Sequence, residues 1–278
     1  MDNGIMPLYG AIEAGGTKFM AAVAASSGSE FLALERIETR EDAAATLNQV
    51  IAFLERHGPL DAVGVATFGP VDFVKGTIST TPKKGWRDFP LRTVLESRLG
   101  VPVGFDTDVN GAALAEARHG AGKGAESLVY VTVGTGIGGG AIVGGKPVHG
   151  LLHPEMGHLP VRWHPEEPGG FCGVCPYHGG CLEGMASGPA IEARWGAPAE
   201  ALPSGHAAWA MEADYLAQAC LAISLILSPE RIVLGGGVMQ QPGLIPMVRQ
   251  QLEQLNNGYV PLPAISAPGL EYPGLTGA

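Results

Sequence analysis

The amino-acid sequence predicts an α/β protein built from two similar domains. Three observations predict it. Apolar runs of strand length alternate with stretches whose apolar residues fall at helical spacing. A strand, a turn rich in Gly and Thr, and a second strand occur near 8–24 and again near 128–143, a weak internal repeat. Between the copies lies "HGAGKGAES", rich in small and polar residues. It places the boundary, so a small N-terminal domain is expected over 1–118 and a larger one over 119–278. The final residues are free to return to the first domain.

The elements follow in order. Leu8–Glu13 and Phe19–Ala24 read as strands around "AGGTK", and Glu30–Ile37 as a third after "SSGS". Glu41–His57 carries Leu47, Val50, Ile51 and Leu54 at helical spacing, and Gly58-Pro59 stops it. "DAVGVATF" is a buried strand closed by Gly69-Pro70. Leu91–Leu99 is a short helix ending at Gly100. "VPVGF" is a strand that delivers "DTDVN", and Asn110–His119 is the helix after it. This alternation implies some parallel pairing. The second half restarts with strands at Ser127–Val133 and Ala141–Val143. Trp209–Leu227 is a long apolar-faced helix, "RIVLGGGVM" a strand entering a Gly turn, and Gly243–Leu255 a helix. "EYPGLTGA" reads as the lead-in to one more helix.

Bulk properties exclude several classes. The net charge of −10 argues against a broad nucleic-acid surface. The first residues, "MDNGIMPLYG", have neither the basic start nor the apolar run of a signal peptide. The most apolar stretch, Ala219–Leu227, is too short to span a membrane. The cytoplasm is the expected compartment. Cys172, Cys175 and Cys181 crowd beside His178, which without an export signal favours a metal over disulfides. Cys220 falls on the apolar face of the long helix and reads as core.

"VTVGTGIGGG" contains the pattern G-x-G-x-x-G. A dinucleotide site needs that pattern to open a helix. Here it leads into the short, β-like "AIVGG", and the acidic residue downstream, Glu155, has a loop context. No G-x-x-x-x-G-K-[ST] occurs. A Gly turn between antiparallel strands still holds phosphate, because successive backbone N–H groups converge and Thr135 adds a hydroxyl. "AGGTK" offers the same, with Lys18 as a point charge.

"EAGGTK", "DTDVNGAAL", "VTVGTGIGGG", "PEMGH", "CPYHGGCLEG" and "IVLGGG" occur in that order. Across nearly the whole chain this resembles the ROK family of sugar kinases, and within it the bacterial ROK fructokinases. The resemblance implies an actin/hexokinase-like (ribonuclease H-like) ATPase fold with a cleft between the two domains, which closes on substrate and excludes water. It implies that ATP phosphates are held by Gly15, Gly16, Thr17 and Lys18 and by Gly134, Thr135 and Gly136. Gly235, Gly236, Gly237 and Pro189 join the nucleotide group. Where the family usually has Asp before the first turn, this chain has Glu13, a candidate to position Mg²⁺ through water.

Asp108 takes the place of the family's general base, accepting the proton of the sugar hydroxyl as the new bond forms. Asp106 competes for that role, and a helix-capping role for Asp108 stands beside it. Thr107 stands where Asn is common. Gly69, Thr107, Asp108, Glu155, His158 and Glu183 form the implied sugar site; carboxylates suit it because each accepts directional bonds from hydroxyls. Cys175, His178 and Cys181 recur every third residue, and His158 upstream completes a Cys₂His₂ set, a structural Zn²⁺ site. Cys172 is a spare ligand, with His153 and His164 as further candidates. Lys83, Lys84 and Trp86, in "TPKKGWRDFPL", are placed either near the cleft or on the surface.

The expected function is ATP-dependent phosphorylation of a hexose with Mg²⁺, first of all D-fructose to fructose 6-phosphate. Glucokinase, mannokinase and N-acetylhexosamine kinase are alternatives within the family. The ROK repressors carry an added N-terminal DNA-binding region, for which a phosphate turn beginning by Gly15 leaves no room. No nucleic-acid or membrane partner is expected, and a homodimer is implied by the resemblance.

Overall fold

The computed structural model describes residues 7–79, 81 and 83–278. Residues 1–6, Thr80 and Pro82 lie outside the described residues. So do the first residues of the segment tested for a signal peptide and one position of the Lys83 segment. The chain divides into two units. The first runs to His119 and also takes in His149–His153 and Leu270–Ala278; the second comprises Gly120–Val148 and Pro154–Gly269.

In the first unit β1 (Tyr9–Ala14), β2 (Lys18–Ala24) and β3 (Ala33–Glu38) form an antiparallel meander. The helix α1 (Ala43–Glu55) follows, capped by the Asp42 carboxylate accepting from Ala45 N at 3.1 Å. Next come β4 (Ala62–Thr67), the small hairpin β5 (Val71–Asp72) and β6 (Thr77–Ile78), α2 (Leu91–Leu99), β7 (Val103–Thr107) and α3 (Asp108–His119). The sheet order is β3-β2-β1-β4-β7, with β1, β4 and β7 parallel. One core joins Ile12, Val63 and Val65 of the sheet to Leu47, Val50, Ile51 and Leu54 of α1.

The second unit repeats this plan. β8 (Ser127–Val133), β9 (Ile137–Val143) and β10 (Lys146–Pro147) are antiparallel neighbours. The helices α4 (Leu182–Ala186), α5 (Gly188–Trp195) and α6 (Ala208–Leu227) follow, then β11 (Arg231–Gly235), α7 (Leu244–Asn256) and β12 (Ala264–Ser266). The order β10-β9-β8-β11-β12, with β8, β11 and β12 parallel, matches that of the first sheet. Val129, Val131 and Val133 pack with Trp209, Leu216 and Ile223 of α6 and Leu244, Val248 and Leu252 of α7. By length and composition alone α6 is apolar enough to cross a membrane, which the sequence reading did not anticipate. Many of its apolar residues, Trp209, Leu216 and Ile223 among them, are in the core, while Leu225 and Ile226 are exposed.

The chain ends in α8 (Pro273–Gly277), which belongs to the first unit and packs against α3. Contact there is backbone to backbone: a Cβ on Gly277 would lie 1.9 Å from Gly111 O. A cavity of about 520 Å³ lined by Tyr9, Ser26, Phe31, Gly64, Arg118 and Ala278 opens at the amino ends of β1, β4 and β7.

Two strand boundaries and one burial differ from the sequence reading. The third strand begins at Ala33 rather than Glu30. The strand expected at Ala141 begins at Ile137, so Gly138–Gly140 are ladder residues instead of loop. At Gly139 another segment packs close: a Cβ there would meet Met156 at 2.8 Å. Trp86 is fully buried and is neither a cleft nor a surface residue. It sits among Phe19, Phe68 and Phe89 and donates from its indole N–H to Arg40 O at 2.8 Å.

Candidate active site

In an open sheet with parallel strands, ligands gather at the carboxyl ends of those strands. In the first unit that edge carries the turn after β1, the loop after β4 and the junction from β7 into α3. These hold Gly15–Lys18, Gly69, and Thr107 with Asp108. The turn is braced twice by Thr39: its hydroxyl donates to Gly15 O at 2.8 Å and its N–H to Thr17 O at 3.1 Å. Gly15 N donates to Lys18 O at 2.9 Å, and Gly16, Thr17 and Lys18 are exposed. Thr39 was absent from the sequence reading, since nothing in its local pattern links it to residues 15–17.

Glu13 does not end in solvent. The Gly274 backbone of α8 lies directly over its carboxyl, and Leu275 N–H bonds to it. Burial raises its pKa above the usual carboxylate range, against the lowering effects of Lys18 and of Leu275 N–H. A carboxyl already engaged by a backbone donor has less capacity left for a hard cation.

At the β7–α3 junction Thr107 is buried, and its hydroxyl accepts from Asn110 N at 3.2 Å. The helix cap is therefore Thr107, and the capping role considered for Asp108 passes to its neighbour. The half-buried Asp108 carboxylate accepts from Val109 N at 2.9 Å. Asp106, two residues back on β7, accepts from Thr107 N at 2.7 Å and from the Asn110 side-chain amide at 2.8 Å. Gly69 precedes a cis bond to Pro70 and abuts the His153 ring.

In the second unit the turn Gly134–Gly136 joins β8 to β9, with Val133 opposite Ile137. Gly188 N, at the start of α5, donates to Gly134 O at 2.8 Å. This sets the amino end of α5, where Pro189 lies, against the turn. Glu183 of α4 accepts from Ile137 N at 2.9 Å, so its carboxylate braces the same turn. After β11, Gly236 takes a positive φ of 95° and lies so close that a Cβ would meet Val133 O at 2.3 Å. Gly134, Thr135, Gly136, Pro189, Gly235, Gly236, Gly237 and Glu183 thus form one neighbourhood. Glu155 is exposed, and His158 ends the turn that follows it.

His158 Nδ1 lies 3.5 Å from Cys181 Sγ and 3.7 Å from Cys175 Sγ, which is 3.8 Å from His178 Nδ1. One ligand atom from each of these four residues lies within 4.8 Å of every other. A tetrahedral ion with Zn–S of about 2.3 Å and Zn–N of about 2.0 Å spaces unlike ligands about 3.5 Å apart. The donor set fits a closed Zn²⁺ site. Burial, then the neighbouring Cys175 and Glu183, push the Cys181 thiol up, a cost that a bound cation offsets. Cys172 is exposed, its thiol directed to Gly170 O, and stands outside the group. His153 belongs to the first unit, and His164 Nδ1 accepts from Glu166 N. Cys220 is core, its thiol pushed up to about 12 by burial.

Residues that the sequence reading missed hold this apparatus from behind. Arg194 Nε pairs with Glu167 at 2.6 Å while Arg194 Nη2 donates to Met185 O of α4 at 2.7 Å. Tyr215 O–H donates to the other Glu167 oxygen at 2.5 Å. The loop before the Cys/His group is thereby tied to α4, α5 and α6.

The duplicated sheets with a glycine turn after the first strand of each define the two-unit actin/hexokinase-like class of phosphoryl-transfer proteins. Residues 9–278 match the ROK family. The fructokinase of Zymomonas mobilis is 46% identical over 265 residues, covering 91% of this chain and 87% of that protein. The fructokinase of Lactococcus lactis subsp. cremoris is 40% identical over 260 residues, covering 92% and 87%. The crystal structure of the ROK hexokinase from Thermus thermophilus aligns with a TM-score of 0.82 at 30% identity, over 97% of this chain and 96% of that one. The protein belongs to the ROK family.

Proposed function

We propose that this protein is an ATP-dependent hexose kinase that converts D-fructose to fructose 6-phosphate. The observation that carries the reading is the 46% identity to a fructokinase over 91% of this chain. The site chemistry supports it. Asp108 is the general base: its carboxylate takes the proton of the sugar hydroxyl as that oxygen bonds to the γ-phosphorus. The bond from the γ-phosphorus to the bridging oxygen breaks, and ADP leaves. The turns at Gly15–Lys18 and Gly134–Gly136 hold the phosphates through backbone N–H groups, with Lys18 as a fixed charge. Gly235–Gly237 and Pro189 border the nucleoside. Mg²⁺ accompanies ATP and neutralises phosphate charge; Glu13, covered by α8 and engaged by Leu275 N–H, is not assigned as its ligand.

Gly69, Thr107, Glu155, His158 and Glu183 are assigned to the sugar. Thr107 serves through its backbone, since its hydroxyl caps α3. Zn²⁺ on His158, Cys175, His178 and Cys181 is structural: it fixes the loop from which α4 presents Glu183 and does no chemistry itself. We read the enzyme as a cytoplasmic homodimer without nucleic-acid or membrane partners.

The test is ADP release with ATP and Mg²⁺ across fructose, glucose, mannose and N-acetylated hexoses, beside Asp108→Ala. Turnover confined to fructose and lost in the variant is the expected result. Turnover on glucose or mannose instead overturns fructose as the substrate and keeps the kinase. Turnover that survives Asp108→Ala overturns the base.

A further inference from the structure

Asp106 and Asp108 flank Thr107 at the end of β7, yet their surroundings differ. The Asp106 carboxylate has three donors around it. Thr107 N and the Asn110 amide reach Oδ1, and His149 Nε2 lies 3.0 Å from Oδ2 and 3.2 Å from Oδ1. Oδ2 has no other donor among the described residues. A carboxylate only accepts, so the ring proton sits on Nε2 and His149 donates. With the proton there, the Asn110 amide 3.2 Å away cannot donate to the same nitrogen, and both N–H groups converge on Asp106.

His149 is itself fixed. Its ring lies against Phe73, centroids 4.4 Å apart. Phe73 follows β5, and Arg92 of α2 holds the backbone there, donating to Phe73 O at 3.1 Å and Val74 O at 2.8 Å. Four residues on, His153 Nε2 accepts from Val71 N at 3.2 Å. The segment His149–His153 is anchored at both ends although it lies in sequence between two stretches of the second unit.

What the pair controls is the first turn of α3. The Asn110 side chain is buried and its Oδ1 has no donor among the described residues, so the bond from its amide to Asp106 is what places it. Asn110 N in turn is the group that Thr107 caps. Asp108 lies between those two residues.

We propose that His149 is a positioning residue for phosphoryl transfer, holding the Asp106 carboxylate and through it the first turn of α3 in the orientation that presents Asp108. The proposal rests on the reading of Asp108 as the base. It assigns Asp106 a supporting role and removes it as a rival for the proton.

The test is steady-state kinetics with fructose and ATP for His149→Ala, His149→Gln, Asp106→Asn, the Asp106→Asn/His149→Ala double variant and Asp108→Ala. His149→Ala lowers kcat by about 10- to 100-fold, the scale of a misplaced catalytic group, and leaves both KM values nearly unchanged. His149→Gln recovers most of the loss, because a Gln amide still donates to Asp106. The double variant is no slower than the slower single one, since both changes break one link. A wild-type kcat in His149→Ala, a His149→Gln no faster than His149→Ala, multiplying losses, or an effect confined to KM for fructose overturns the proposal. If His149→Ala does not fold, Asp106→Asn decides by the same split, and an unchanged kcat overturns it. Activity retained in Asp108→Ala defeats the base reading instead, so the two failures are distinct.

Discussion

Replacing Glu167 by Gln tests whether the clasp behind the Cys/His loop supports the second unit. The side chains of Arg194 and Glu167 are only 1% and 5% exposed. Gln keeps the shape and removes the charge, so the guanidinium stays buried over Phe171, 4.3 Å from the ring centroid, with no counter-charge at Nε. Of the two groups that Glu167 accepts from, Arg194 and Tyr215, one would then face an amide N–H₂. Removing one partner of a buried pair costs about 3–5 kcal/mol. At about 2–4 °C per kcal/mol, Tm should fall by roughly 6–20 °C. Thermal unfolding followed by tryptophan fluorescence reads this, since Trp163, Trp195 and Trp209 all lie in the affected unit. Replacing the pair together, as Glu167→Leu with Arg194→Met, removes both buried charges and should recover most of the loss. A fall of less than about 2 °C in Glu167→Gln, or a double variant less stable than the single one, would refute the reasoning.

Three further outcomes follow from the same geometry. Cys181→Ser should lower bound zinc, measured by mass spectrometry, and reduce kcat by loosening α4 and Glu183; full activity in zinc-free protein would remove the structural role. Gly236→Ala places a side chain at a positive φ and against Val133 O, and should raise KM for ATP more than KM for sugar; equal changes in both would separate this turn from the nucleotide. Glu212 is fully buried on α6, neither oxygen has a donor among the described residues, and desolvation raises its pKa well above the usual range. The folded protein keeps this proton and the unfolded chain releases it above the ordinary carboxylate pKa of about 4.3. Stability therefore declines as pH rises from there toward the raised folded value, and Glu212→Gln should flatten that slope in urea midpoints taken from pH 5 to 8.

Much of the fold was legible because the repeat is local. Ser127–Val133 and Leu91–Leu99 stand where apolar runs and Gly stops placed them. Where two elements approach closely the signal reversed: Gly138–Gly140 read as loop, but they are strand, and Gly139 leaves room for Met156. The short pieces β5, β6, β12, α4 and α8 have too few residues to show a period. The Cys/His group was legible because its spacing is metal chemistry written in one loop, with only His158 supplied from a distance. Buried partners were not. Glu167 and Tyr215 lie 48 residues apart, and Asp106 and His149 lie 43 apart. Only the folded chain brings such pairs together, and Arg194 in isolation reads as one more surface cation on a short helix.

The duplicated sheet also accounts for the division of labour within the chain. Each copy ends its first strand in a Gly turn because a backbone that must offer converging N–H groups to phosphate has little space for side chains. The two turns are braced differently. Thr39, a neutral hydroxyl from the end of β3, secures Gly15–Thr17. A carboxylate on a helix beside the Cys/His loop, Glu183, secures Gly136–Ile137. A Cβ on Gly136 would lie 2.7 Å from that carboxylate, so the turn and the brace fit only as a pair. The first unit's turn is therefore braced from within its own sheet, while the second is tied to the loop that the proposed zinc would fix. Gly136→Ala separates the two cases: it should displace Glu183, free the Ile137 N–H and raise KM for ATP and sugar together. Alanine at Gly16, where a Cβ meets nothing within 4 Å, should leave the sugar KM alone. If both variants change only the ATP KM, Glu183 does not couple the turn to the sugar, and the loop it belongs to serves stability alone.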